Sequence, residues 1–74
     1  MNREEFLSKL TYDLNDDLKR EVVDNMVKFG GSFVKALADC AIKADYRNFT
    51  KLVNAFEDYF WNYSPEKWED KNEN

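Results

Sequence analysis

Seventy-four residues carrying 15 acidic and 11 basic side chains, one cysteine and no histidine make one small, acidic domain with few routes to catalysis. No disulfide can close within the chain, no histidine-bearing zinc site can form, and no Ser–His or Cys–His couple exists. A chain this short has a marginal core, so its aromatic content of 16% and long helices must supply the stability, or a partner must.

The chain opens with a predicted helix from about Arg3 to Leu14. Asn2 can cap it, and Glu4 and Glu5 sit in its first turn, where the helix dipole favours negative charge. Phe6, Leu7, Leu10 and Leu14 share one face. Asn15, Asp16 and Asp17 follow as a turn and cap cluster. Asp13 to Asp17 also has the look of the opening of a calcium loop, with Asp24 in the twelfth position. Leu18 stands where that loop needs its glycine, so the cluster reads as a helix cap.

A second helix is predicted from about Asp17 to Lys43. Leu18, Val22, Met26, Phe29, Phe33, Leu37 and Cys40 step by three and four residues, and the phase passes through Gly30 and Gly31 without a jump. That favours one continuous helix, at a cost of about 1 kcal/mol for each interior glycine. The alternative is a break with Ser32 capping a new helix. In the continuous reading Val23, Val27, Gly30 and Val34 form a flank suited to self-association, and Cys40 is a buried small residue rather than a nucleophile.

The third predicted helix runs from about Tyr46 to Tyr63, with Asp45 as its N-cap. Phe49, Leu52, Val53, Phe56, Tyr59, Phe60 and Tyr63 fall within one arc. The short Ala44–Asp45 link implies an antiparallel helix pair, and Ser64-Pro65 stops the third helix. The expected architecture is all-α: three helices, a long central one and a C-terminal antiparallel hairpin, forming one domain over residues 1–64 with a mobile acidic tail at 65–74.

Binding is the function left open. Asp13, Asp16, Asp17, Glu21 and Asp24 cluster near the first turn, and Glu57 and Asp58 stand on the third helix. Such clusters are either solvated faces or a surface that steers toward a basic protein partner. Trp61 lies off the buried arc, so it is either an exposed contact or packed by the tail with Trp68. Arg47 and Lys51 near the start of the third helix allow a helix-turn-helix reading, but the pI near 4.7 and the acids Glu57 and Asp58 argue against nucleic acid. No cofactor, metal or catalytic residue is expected. No apolar run is long enough to span a bilayer and no leader pattern opens the chain, so a cytoplasmic protein without membrane contact is expected.

The stretch from Gly31 to Tyr63 carries Ser32-Phe33-Val34-Lys35-Ala36-Leu37-Ala38-Asp39-Cys40, then Ala44-Asp45, Asn48-Phe49, Lys51-Leu52, Ala55-Phe56 and Tyr59-Phe60-Trp61. It resembles a type of small helical-hairpin protein common in phages and prophages, although Glu57 stands where such proteins often have proline. The resemblance implies an accessory gene of a mobile element acting in bacterial cytoplasm, and by context an inhibitor of host defence such as an anti-CRISPR protein. Two other functions remain open. One is a self-associating phage structural or adaptor protein; the other is a small DNA-binding regulator.

Overall fold

The computed structural model describes residues 1–67. Among them the fold is all-helical, with no strand. The helices are α1 (Arg3–Thr11), α2 (Asp16–Phe29), α3 (Ser32–Lys43), α4 (Tyr46–Ala55) and α5 (Glu57–Asn62). Helical backbone resumes at 65–67. Thus the helical class is as expected, but the three-helix layout with a long central helix is not: each of the two longer predicted helices is divided.

Local chemistry explains the helix starts. Asn2 accepts from the Glu5 amide at 2.8 Å, Asn15 from the Leu18 amide at 3.1 Å, and Asp45 from the Asn48 amide at 2.8 Å. Each cap satisfies an amide that the first helical turn leaves without a partner. The short link at Ala44–Asp45 therefore ends α3 and starts α4.

The central helix breaks at Gly30 and Gly31, and this corrects the continuous reading. Both glycines are extended, with φ/ψ of −85°/159° and −79°/−170°. Gly31 is the N-cap of α3 and no side chain caps that end, so the alternative reading, a break capped by Ser32, was one residue late. A Cβ added to Gly30 would stand 2.6 Å from the Met26 carbonyl oxygen and would overlap Val34. Gly30 is thus the point of close approach between α2 and the start of α3, and not a flank for another chain. Nothing lies within 4 Å of a Cβ placed on Gly31.

The break resets the helical phase. On α2 the predicted stripe is kept, with Leu18, Val22, Val23 and Met26 buried. On α3 it shifts, and Val34, Leu37, Ala38 and Ala41 face the core. Phe29 at 40% and Phe33 at 53% exposure stand at the surface. Cys40, expected inside, is exposed as well. α3 returns along α2, because Ile42 near its end shares a depression with Asp16, Lys19 and Arg20 at the beginning of α2.

The second break falls at Phe56, whose φ/ψ of −128°/43° ends α4 and begins α5. No proline or glycine marks it. Its effect is to turn Trp61 back onto α1 and Phe60 onto α4: Trp61 lies 5.4 Å from Phe6, ring centre to ring centre, and Phe60 meets Phe49 edge-on at 6.0 Å. Phe6, Leu10, Met26, Val53 and Phe60 are almost completely buried in one cluster to which all five helices contribute. Asn25 ties the far end to the bundle by donating to the Tyr63 carbonyl at 3.0 Å. In the predicted tail, Pro65 is buried and Glu66 accepts from the chain's N-terminal ammonium at 2.6 Å. Trp68 and the rest of that tail lie outside the described residues.

Candidate protein-binding surface

The α1–α2 junction concentrates features that folding alone does not call for. α1 stops at Thr11, three residues before the predicted end. The Asn15 amide then donates to the Lys9 carbonyl at 3.1 Å and the Asp13 amide to Ser8 at 3.2 Å. This six-residue closure requires a left-handed residue, a place usually given to glycine. Here it is Leu14, with φ of 52°, the only non-glycine residue with positive φ that the chain shows among the described residues. A β-carbon in that conformation costs about 1–2 kcal/mol.

The strained leucine is not repaid by burial. Leu14 is 48% exposed, and its neighbour Tyr12 is 81% exposed. Leu14 and Tyr46 line one cleft of about 230 Å³ with Asp16 and Lys19. Asp16 and Lys19 also border the depression that holds Ile42, which is 60% exposed. The Lys19 ammonium lies 4.3 Å from the centre of the Phe49 ring, so the cation is drawn inward by the ring face. What remains outward is apolar and charged: Tyr12, Leu14, Ile42 and Tyr46, with Asp13 on the connecting turn, Asp16 and Asp17 in the first turn of α2, and Arg20 one turn on, all exposed.

The residues expected to bind a partner are not brought together as one face. Asp13, Asp16 and Asp17 sit at this junction, and exposed Glu21 and Asp24 continue along α2. Asp24 pairs with Lys28 at 3.5 Å across one helical turn. Glu57 and Asp58 lie at the opposite end of α1, where both engage Arg3. Their hydrogen bonds and charges, Asp58 foremost, raise the Arg3 pKa. These two acids therefore anchor α5 to the beginning of α1. Trp61 is half-buried against Phe6, with Lys67 5.5 Å from its ring centre.

Of the flank expected to self-associate, Val23 and Val34 are buried inside this chain and Gly30 is occupied by Val34. Only Val27 remains open, at 45% exposure. The physical reason is the glycine break, which folds α3 over that side of α2. Tyr12, Leu14, Ile42 and Tyr46 were not singled out by sequence reasoning. Leu14 fitted the α1 stripe, and its exposure follows from a helix end that no glycine or proline signals. Tyr12 and Ile42 each lie off the stripe of their helix, which is the signal that could have found them.

Comparison of the chain with protein-family models, with curated proteins and with solved structures finds no match. Among the described residues no group of three or more His, Cys, Asp or Glu side chains could hold a metal ion. Among the same residues no helix is long and apolar enough to cross a membrane.

Proposed function

We propose that this protein is a non-enzymatic binding module that docks its α1–α2 end on a protein partner with a basic surface. The observation that carries the reading is Leu14. A residue kept in a strained conformation while half in water contributes little to folding, and such strain concentrates where it serves binding. Around it stand two large exposed aromatic side chains, Tyr12 and Tyr46, and exposed Ile42. Apolar and aromatic anchors ringed by charge are the composition of a binding patch. The acids Asp13, Asp16 and Asp17 would steer a cationic partner and fix its register. The resemblance of Gly31–Tyr63 to phage proteins supplies the setting, an inhibitor of a host complex that works by occupying a basic site.

Affinity capture from a bacterial lysate tests this reading. The baits are wild type, the Tyr12→Ala/Leu14→Gly variant, the Asp16→Lys/Asp17→Lys variant and the distant Asn54→Ala variant. A protein retained by wild type and Asn54→Ala, lost from the other two, and released by salt is the expected result. Capture that survives in both junction variants rejects the surface.

A further inference from the structure

We infer that the cleft between the α1–α2 turn and the start of α4 takes an arginine side chain of the basic partner, and that Lys19 fills it while no partner is bound. The inference rests on the docking role proposed for this end and names the chemical group that the end reads.

The cleft holds two halves of a cation site. One half is aromatic. Tyr46 and Phe49 are one turn apart on α4, so they share a side of the helix, and both line the cleft. A ring face attracts a cation, and one is already in place: the Lys19 ammonium, 4.3 Å from the centre of the Phe49 ring. The other half is the Asp16 carboxylate, which lines the same cleft. Asp16 and Lys19 are one turn apart on α2, a spacing at which a helical acid and base can pair. Asp16 nevertheless belongs to none of the ion pairs among the described residues. The ammonium has gone to the ring and left the acid without a cation.

Arginine serves both halves at once. Its guanidinium is planar and weakly hydrated, so its face stacks on a ring while its edge donates to a carboxylate. Its methylene stem needs an apolar wall, and Leu10 and Leu14 line the cleft. The left-handed turn at Leu14 holds part of that wall beside the acid. A volume of about 230 Å³ suits one side chain rather than a helix or a strand. An apolar side chain would displace Lys19 from the ring and leave Asp16 unused. Lys19 is half-buried and Phe49 only 3% exposed, so the lysine shields the ring from water until a guanidinium takes its place. Its flexible stem can swing aside without any change in the backbone.

Nα-acetylarginine amide is the probe, titrated into the whole chain and followed by the NMR shifts of backbone amides. The shifts should concentrate on residues 14–19 and 46–49, with a Kd of about 1–10 mM, the scale of one cation in a small site. Nα-acetylcitrulline amide, of the same shape but without charge, should leave those amides unmoved. Asp16→Asn and Tyr46→Leu should each weaken binding roughly threefold. Lys19→Ala should strengthen it roughly threefold by emptying the cleft. Arg20→Ala removes the same charge from an exposed neighbour and should change Kd by less than about twofold. Circular dichroism checks that each variant is folded. Shifts that miss the cleft, that the citrulline probe reproduces, or that Lys19→Ala strengthens no more than Arg20→Ala overturn the inference. A partner captured through the α1–α2 end by a chain that ignores the probe leaves the docking role standing and removes the arginine pocket. A probe held in the cleft by a chain that captures nothing keeps the pocket and removes the docking role.

Discussion

α2 and α3 lie on either side of one glycine pair and have similar lengths, 14 and 12 residues, yet they dispose of their surfaces differently. α2 is an ordinary amphipathic helix. It buries Leu18, Val22, Val23 and Met26 and turns Asp17, Glu21, Asp24 and Lys28 to water, with Val27 and Phe29 exposed toward its C-terminal end. α3 buries one apolar side, turns Ser32, Lys35, Asp39 and Lys43 to water, and leaves Phe33, Ala36, Cys40 and Ile42 in water beside them. The difference separates two kinds of demand. The buried side of α2 is accounted for by the fold, whereas the apolar residues that α3 leaves exposed are not used by it.

Substitutions can break or sharpen that contrast. The largest effect belongs to the side that the fold uses: Met26→Ala should cost about 2–5 kcal/mol in chemical denaturation, since Met26 is fully buried. Next comes the hinge. Gly30→Ala should destabilise by about 1–3 kcal/mol, because the new methyl group meets the Met26 backbone. Gly31→Asp should do the opposite and stabilise by about 0.5–1 kcal/mol. Its side chain has room and reaches the uncapped amides of α3. The smallest effect belongs to the outer side: Ile42→Gln should shift stability by no more than about 0.5 kcal/mol. If Ile42→Gln instead costs as much as Met26→Ala, the contrast between the two helices is wrong.

Much of the fold was legible in the sequence for local reasons. Asn2, Asn15 and Asp45 announce helix starts through side chains that bond their own backbone three residues on. The α2 stripe was legible because a single face of 3.6-residue period is buried. The breaks were not, and for different reasons. At Gly30 the hydrophobic phase continued across the hinge, so periodicity argued for continuity while the glycine was needed for contact with Val34. At Phe56 the chain turns because Trp61 gains a site on α1 and Phe60 one against Phe49 of α4, a tertiary preference with no local signal. Cys40 was misplaced by the first of these errors, since its predicted burial depended on the uninterrupted phase.

The proposed binding surface was half legible. Asp13, Asp16 and Asp17 were visible as an acidic cluster, but charge alone gives no apolar anchor. Tyr12 and Leu14, Ile42, and Tyr46 come from three places in the sequence, and only the turn at Leu14 and the return of α3 along α2 collect them. Glu57 and Asp58 have a structural task that the sequence did not show, because Arg3 is more than fifty residues away.

The central claim is that the α1–α2 end is shaped for contact at the expense of stability. Leu14→Gly tests it most directly, with thermal unfolding and partner capture measured on the same preparation. Removing the β-carbon relieves the left-handed strain, so the variant should be more stable by about 1 kcal/mol and should hold the captured protein less well. A variant that is stabilised and captures the partner as well as wild type does would contradict the account.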